Sequence, residues 1–223
     1  PVNDTTLETP TPGSSGARIP EGLIEAISGV IPNGGALHEP EFAGNESRYV
    51  QECIDTGWVS SVGKFVDQFE ERLCEVTGAS YTVATVNGTA ALHAALHLAG
   101  VTPGDEVLTP AFGFVALGNA VTQCAAFPHF IDVNERTLGV DPAALDPYLR
   151  DVLELRVGTA FNRHTGRPVR ALLVAHILGH PAEIEELVDI ADRYNLPVVE
   201  DAAESLGAYR GDRHTGTFGL IGA

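Results

Sequence analysis

From Tyr81 to Glu200 the chain alternates short β-branched or apolar runs with helical stretches of about ten residues, a rhythm that few architectures accept. Tyr81–Val86 reads as a strand, Ala90–Ala99 as a helix, Glu106–Thr109 as a strand and Phe114–Thr122 as a helix. Pro128–Val133, Ala171–His176 and Pro197–Glu200 continue the strands, while Pro142–Leu149 and Pro181–Tyr194 continue the helices. Strands joined through helices imply a mostly parallel sheet covered by helices, an α/β fold. Residues 150–170, with Arg156, Arg163, Arg167 and Arg170, read as a polar connection whose arginines are solvated.

Upstream the pattern changes. Residues 1–20 are rich in Pro, Thr, Ser and Gly and read as a disordered leader, without the basic start and apolar core of a signal peptide. Residues 21–80 read as an N-terminal helical segment, with helices at Glu21–Ile31, Gly44–Asp55 and Lys64–Thr77. Between the last two, Thr56–Gly63 is turn-rich and carries the only tryptophan, Trp58. Residues 81–223 then form the larger domain.

Charge and cysteine content narrow the function. Thirteen Lys and Arg against 30 Asp and Glu give a net charge of −17, which argues against wrapping a nucleic acid or docking on an anionic membrane. Cys53, Cys74 and Cys124 are an odd number in a chain too long to need disulfides, and the two within helical patterns read as small buried apolar residues. No apolar run is long enough to span a bilayer. A reduced, cytoplasmic protein is expected. The chain has no Met, even at position 1, and stops at Ala223 without a closing polar segment, so a piece of a longer protein is expected.

In open α/β sheets, ligands bind outside the carboxyl ends of the strands. After Val86, Asn87-Gly88-Thr89 opens a helix, where free N–H groups, a close-approach glycine and a hydroxyl make a phosphate seat. After Thr109 come Phe112 and Phe114, able to stack on a flat ring. After an apolar strand, Asp201 needs a cationic partner, and a protonated ring nitrogen is one; Glu204 shares that mouth. Singly, each has a plain alternative: helix cap, core aromatic, turn cap. His176 and His180 lack a third ligand at metal spacing, so no metal is expected. Together the three exits suit a ligand with a phosphate, an aromatic ring and a basic ring nitrogen: pyridoxal 5′-phosphate, PLP.

Four motifs carry a resemblance: Val86-Asn87-Gly88-Thr89-Ala90-Ala91-Leu92, Pro103-Gly104-Asp105-Glu106-Val107, Val199-Glu200-Asp201-Ala202-Ala203-Glu204-Ser205-Leu206-Gly207 and His214-Thr215-Gly216-Thr217-Phe218-Gly219. The chain resembles the DegT-type nucleotide-sugar aminotransferases, PLP-dependent enzymes of fold type I. Leu37 to Val66 is similar to the branch called LegC. The resemblance implies the large domain of that fold, with the C-terminal small domain missing. It implies that Gly88 and Thr89 hold the phosphate, that Phe114 stacks on the ring and that Asp201 pairs with the ring nitrogen. Glu204 falls where many relatives have glutamine, near the cofactor's hydroxyl.

Trp58, Ser60 and Ser61 would lie near the nucleotide-sugar site, at a homodimer interface, with His38 and His176 as further donors to the substrate. The Schiff-base lysine is expected beyond Ala223; Lys64, the only lysine, sits in an early helix. The implied reaction moves an amino group from glutamate to a UDP-4-keto-6-deoxy-N-acetylhexosamine, for legionaminic acid or bacillosamine-type sugars. Two alternatives stay open: a lysine-lacking PLP-dependent sugar dehydratase, and a non-catalytic cofactor-binding regulator.

Overall fold

The computed structural model describes residues 21–31 and 40–223. The expected leader, 1–20, and the candidate His38 lie outside the described residues. The chain divides between Thr56 and Gly57 into two compact units. The first holds α1 (Glu21–Val30) and α2 (Glu46–Thr56). α1 leaves its apolar residues Leu23, Ile24 and Ile27 exposed, and α2 buries none of its residues.

The second unit opens with α3 (Lys64–Thr77), whose bounds match the apolar spacing of Phe65, Phe69, Leu73 and Val76. Gly78 closes it in the left-handed conformation, φ 75°, which glycine adopts without a Cβ penalty. The order is then α4 (Gly88–Leu98), β1 (Glu106–Pro110), α5 (Ala116–Gln123), β2 (Phe127–Ile131), α6 (Pro142–Val152), β3 (Leu153–Arg156), β4 (Thr159–Asn162) and β5 (Pro168–Ala175). A 3₁₀ turn (Ile177–Gly179), α7 (Ile184–Asp192), β6 (Val198–Asp201), β7 (Tyr209–Arg210), β8 (Arg213–His214) and β9 (Ile221–Gly222) complete it. Asn87 caps α4 by accepting the Ala90 N–H at 2.9 Å, and Asp141 caps α6 by accepting the Ala143 N–H at 2.9 Å. No helix among the described residues is long and apolar enough to cross a membrane.

The main sheet runs β2-β1-β5-β4-β3, with β6 beside β5 and β9 beyond β6. β1, β2, β5, β6 and β9 pair in parallel; β3 and β4 form an antiparallel hairpin, and β4 runs antiparallel to β5. Leu172 of β5 pairs with Leu108 on one side and Val198 on the other. β4 and β6 therefore share one flank of β5 end to end, β4 at Pro168–Val169 and β6 at Leu172–Ala175. Strand alternation splits the core by face. Leu108, Leu172, Val174 and Val198 pack with Leu145, Leu149, Ile184 and Leu187 of α6 and α7. Val107, Leu173 and Val199 pack with Leu92, Leu96, Leu117 and Val121 of α4 and α5. Each such large side chain, fully buried, stabilises the fold by about 1.5–3 kcal/mol.

Three expectations are corrected. Residues 150–170 are not a plain connection: Leu153–Arg156 and Thr159–Asn162 form the β3–β4 hairpin, turning at Val157 (φ 49°) and Gly158 (φ 81°). Their arginines are engaged rather than merely solvated, Arg170 reaching Asp105 at 3.3 Å and Arg167 reaching Glu106 at 3.7 Å. Tyr81–Val86 is not a paired strand among the described residues. Thr82 and Ala84 bind Glu70 of α3, at its carbonyl (2.6 Å) and its carboxylate (2.7 Å), while Tyr81, Val83 and Val86 face outward, exposed. The alternation is present, but no neighbouring strand takes up its backbone. Helix α5 also starts at Ala116, later than expected, leaving Phe114 in the preceding turn.

Candidate functional site

The carboxyl ends of β1, β5 and β6 open on one edge of the sheet, at Ala111, His176 and Asp201. Helix α4 packs on this sheet and its C-terminus leads through residues 99–105 to the amino end of β1, so its N-terminus, at Gly88, points back toward that edge. The first turn of a helix has no internal acceptor for its leading N–H groups. Among the described residues no acceptor faces the N–H groups of Gly88 and Thr89, and the space beside Gly88 is open. The helix dipole adds positive potential there, so the turn can hold an anion.

Asp201 ends β6. Its backbone carbonyl accepts the His176 N–H at 3.0 Å, and its carboxylate accepts one hydrogen bond, from the Ala203 N–H at 3.2 Å. Burial pushes this carboxyl above the usual range; the Ala203 N–H opposes that push and the charge of Glu204 adds to it. Among the described residues no arginine or lysine pairs with it. Phe114 stands exposed after β1, its ring available to a ligand.

Glu200, one residue earlier, has a different environment. It is fully buried, and its carboxylate accepts hydrogen bonds from the N–H groups of Gly219 (2.6 Å) and Gly216 (2.9 Å). His176 Nε2 lies 2.9 Å from it. Burial pushes this carboxyl up, but the His176 hydrogen bond and the Gly219 and Gly216 N–H groups outweigh it and hold it below its ordinary value. A Cβ on Gly219 would approach the Val198 carbonyl oxygen to 2.5 Å, so the 216–219 turn lies close against β6 because it carries glycine.

His176 is placed differently from the expectation that it meets substrate. Nδ1 accepts the Ala182 N–H at 3.1 Å, which leaves Nε2–H to donate to Glu200 in the neutral ring, and the side chain is fully buried. Neither nitrogen is free for a sugar nucleotide. Glu204 takes the Leu178 N–H at 2.8 Å, tying the loop after β6 to the 3₁₀ turn after β5, where Leu178 is left-handed (φ 52°). Trp58, Ser60 and Ser61 are exposed before α3.

Sequence reasoning did not assign roles to Glu200, Ser205, His214 and Thr215. Ser205 Oγ and Thr215 Oγ1 are 2.8 Å apart, and the Gly207 N–H donates to His214 Nε2 at 2.7 Å, fastening the loop after Asp201 to the end of β8. All four lie in the motifs quoted above, so their presence was visible, but not that they fix the segment carrying Asp201.

Known proteins share this fold. Residues 40–223 match the DegT/DnrJ/EryC1/StrS aminotransferase family. GDP-perosamine synthase of Caulobacter vibrioides is 39% identical over 175 residues, covering 78% of this chain and 43% of its own. The aminotransferase of Psychrobacter cryohalolentis superposes with a TM-score of 0.68 at 28% identity, over 82% of this chain and 42% of its own. The E. coli GDP-4-keto-6-deoxy-D-mannose-3-dehydratase, solved with bound hydrated PLP, shares the fold with a TM-score of 0.67 at 23% identity, over 84% of this chain and 45% of its own. The chain spans a little under half the length of the curated relatives it matches. With the matched region running from Pro40 through both the helix start at Gly88 and the acid at Asp201, the chain belongs to the DegT/DnrJ/EryC1/StrS aminotransferase family.

Proposed function

We propose that this chain forms the cofactor-binding part of a PLP-dependent aminotransferase acting on a nucleotide-linked 4-keto-6-deoxy sugar, with glutamate as amino donor. The observation that carries the reading is Asp201, a half-buried acid without an Arg or Lys partner among the described residues, at the same sheet edge as the helix start at Gly88. The residues fit the group: the Gly88 and Thr89 N–H groups suit its phosphate, Phe114 its ring face and Asp201 its ring nitrogen. When bound, PLP supplies an electron sink for breaking bonds at the amino-bearing carbon. Asp201 holds the proton on the ring nitrogen. Glu200 and His176 act one layer behind, holding the Gly216–Gly219 turn against β6 and so fixing the strand that ends in Asp201.

The LegC-like segment supports a UDP-linked N-acetylhexosamine as acceptor, with Trp58, Ser60 and Ser61 contributing at a homodimer interface. A GDP-linked acceptor is the second reading, favoured by the 39% identity to a GDP-perosamine synthase. The test is an assay of the full-length protein with PLP, glutamate and both 4-keto sugar nucleotides in parallel. An amino sugar formed faster from the UDP-linked acceptor supports the first reading, and faster turnover of the GDP-linked one replaces it with the second. Release of a deoxygenated sugar without amino transfer, or no product from either, overturns the aminotransferase reading.

A further inference from the structure

Away from the sheet edge, helices α4 and α5 bring together three side chains that the reactions above leave unused. His93 and His97 are four residues apart on α4, a spacing that puts both on one face of a helix. Cys124 closes α5 as its C-cap. One nitrogen of each imidazole and the Cys124 sulfur all lie within 4.8 Å of one another.

A second observation points the same way. His93 Nε2 is buried and has no hydrogen-bond partner. A buried polar atom left without a partner costs free energy, and nearly all such atoms in folded proteins find one. Cys124 is 2% exposed, and its Sγ sits 4.0 Å from the His93 carbonyl oxygen, too far to occupy it strongly. His97 is exposed, so the cluster has one side open to solvent.

We propose that His93, His97 and Cys124 bind a divalent ion of the zinc class, bridging α4 and α5. Two imidazoles and a thiolate suit a borderline-soft ion, and three protein ligands leave a fourth position for water. Bond lengths of about 2.0–2.3 Å hold tetrahedral ligand atoms roughly 3.3–3.8 Å apart, so atoms already within 4.8 Å of one another close on an ion by small side-chain movements. On binding, the Cys124 S–H bond breaks, its proton passes to solvent, and the sulfur–metal bond forms without any change of oxidation state. His93 follows Gly88 by five residues, about 7.5 Å along the helix axis, so the ion would tie to α5 the same helix whose start presents the anion seat.

Cobalt(II) is the probe, titrated into the full-length protein stripped of metal. The expected result is one ion per chain, with visible bands of a four-coordinate site and a near-ultraviolet thiolate-to-cobalt band, all lost on adding Zn²⁺. Cys124→Ser removes the thiolate band. His97→Ala, at an exposed position that leaves the fold intact, weakens binding by at least about tenfold, the loss seen even when only an outer partner of a metal ligand is removed. Circular dichroism of each variant separates loss of a ligand from loss of fold. Absence of binding, binding without a thiolate band, or equal affinity in wild type and a folded His97→Ala variant overturns the proposal.

Discussion

At the amino end of the sheet, Glu106 accepts hydrogen bonds from Thr165 (2.6 Å) and Asn162 (2.8 Å) and sits 2.8 Å from His129 Nδ1, whose Nε2 reaches the Tyr148 hydroxyl at 2.8 Å. At the carboxyl end, the Asp201 carboxylate receives, among the described residues, only the Ala203 N–H. Burial pushes both carboxyls up. At Glu106 the bonds from Thr165, Asn162 and His129 outweigh it and bring the acid below its ordinary value, whereas at Asp201 the push prevails. Neighbouring Asp105 is also matched, by the Thr102 N–H and hydroxyl and by Arg170. One end of the sheet is electrostatically complete and serves the fold. The other carries an unmatched acid, the pattern expected where a ligand supplies the missing partner.

The contrast breaks most sharply under substitution of Glu106. Glu106→Ala leaves the buried Asn162 and the half-buried His129 without their acceptor and lowers unfolding stability by about 3–5 kcal/mol, measured by denaturant titration. Cofactor affinity of the folded fraction stays unchanged; a loss of affinity without a loss of stability would reverse the roles assigned to the two ends.

Asp201→Ala should do the opposite. In the full-length enzyme it lowers turnover roughly 100–1,000-fold, the scale of removing one preorganised electrostatic partner. Asp201→Asn in the cofactor-free protein leaves the thermal midpoint unchanged or raises it, because the fold disfavours this charge. Turnover within twofold of wild type would make Asp201 a turn cap.

Acid titration of stability sharpens the comparison further. Glu106 and Glu200 have lowered folded values, so their stabilisation is fully present above the ordinary value of 4.5 and is lost as pH falls through the folded values. Asp201, raised above 3.8, has the opposite sign: its burial costs more as pH rises through its folded value. Glu106→Gln should therefore flatten the acid limb of wild-type stability by about one proton. An unchanged limb would mean that Glu106 gains nothing from its partners. The smallest effect belongs to Glu204→Gln, which removes a charge that raises Asp201 and alters cofactor affinity by less than about fivefold. A larger change, by fluorescence titration, would place Glu204 in direct contact with the cofactor.

Local patterns were legible in the sequence and distant partners were not. The bounds of α3 follow from Phe65, Phe69, Leu73 and Val76, and the half-buried end of an apolar strand singles out Asp201. The β3–β4 hairpin was hidden because its turn places Val157, a β-branched residue, in the left-handed region, and no Asn-Gly or Asp-Gly pair announces it. The alternation of Tyr81–Val86 is genuine, but pairing depends on a neighbour that spacing along the chain does not specify. His176 looked available because Glu200 and Ala182, which engage both its nitrogens, meet it only in the folded sheet. The spacing of His93 and His97 was likewise readable; Cys124, on the next helix, was not an obvious third member.

The shared flank of β5 has a consequence for folding. The β3–β4 hairpin is local in sequence, and hairpins form in about 1–10 μs, ahead of pairings between distant strands. Once β4 lies along Pro168–Val169, β6 can enter only beyond it, and it does so with Val198 opposite Leu172. A slip of β6 by one residue would turn Asp201 from the face it shares with Val199 to the opposite one and put Glu200 in its place. A hairpin at the far end of the strand thus limits where β6 can pair, and the register that β6 takes decides which of two adjacent acids is left without a partner and which is enclosed.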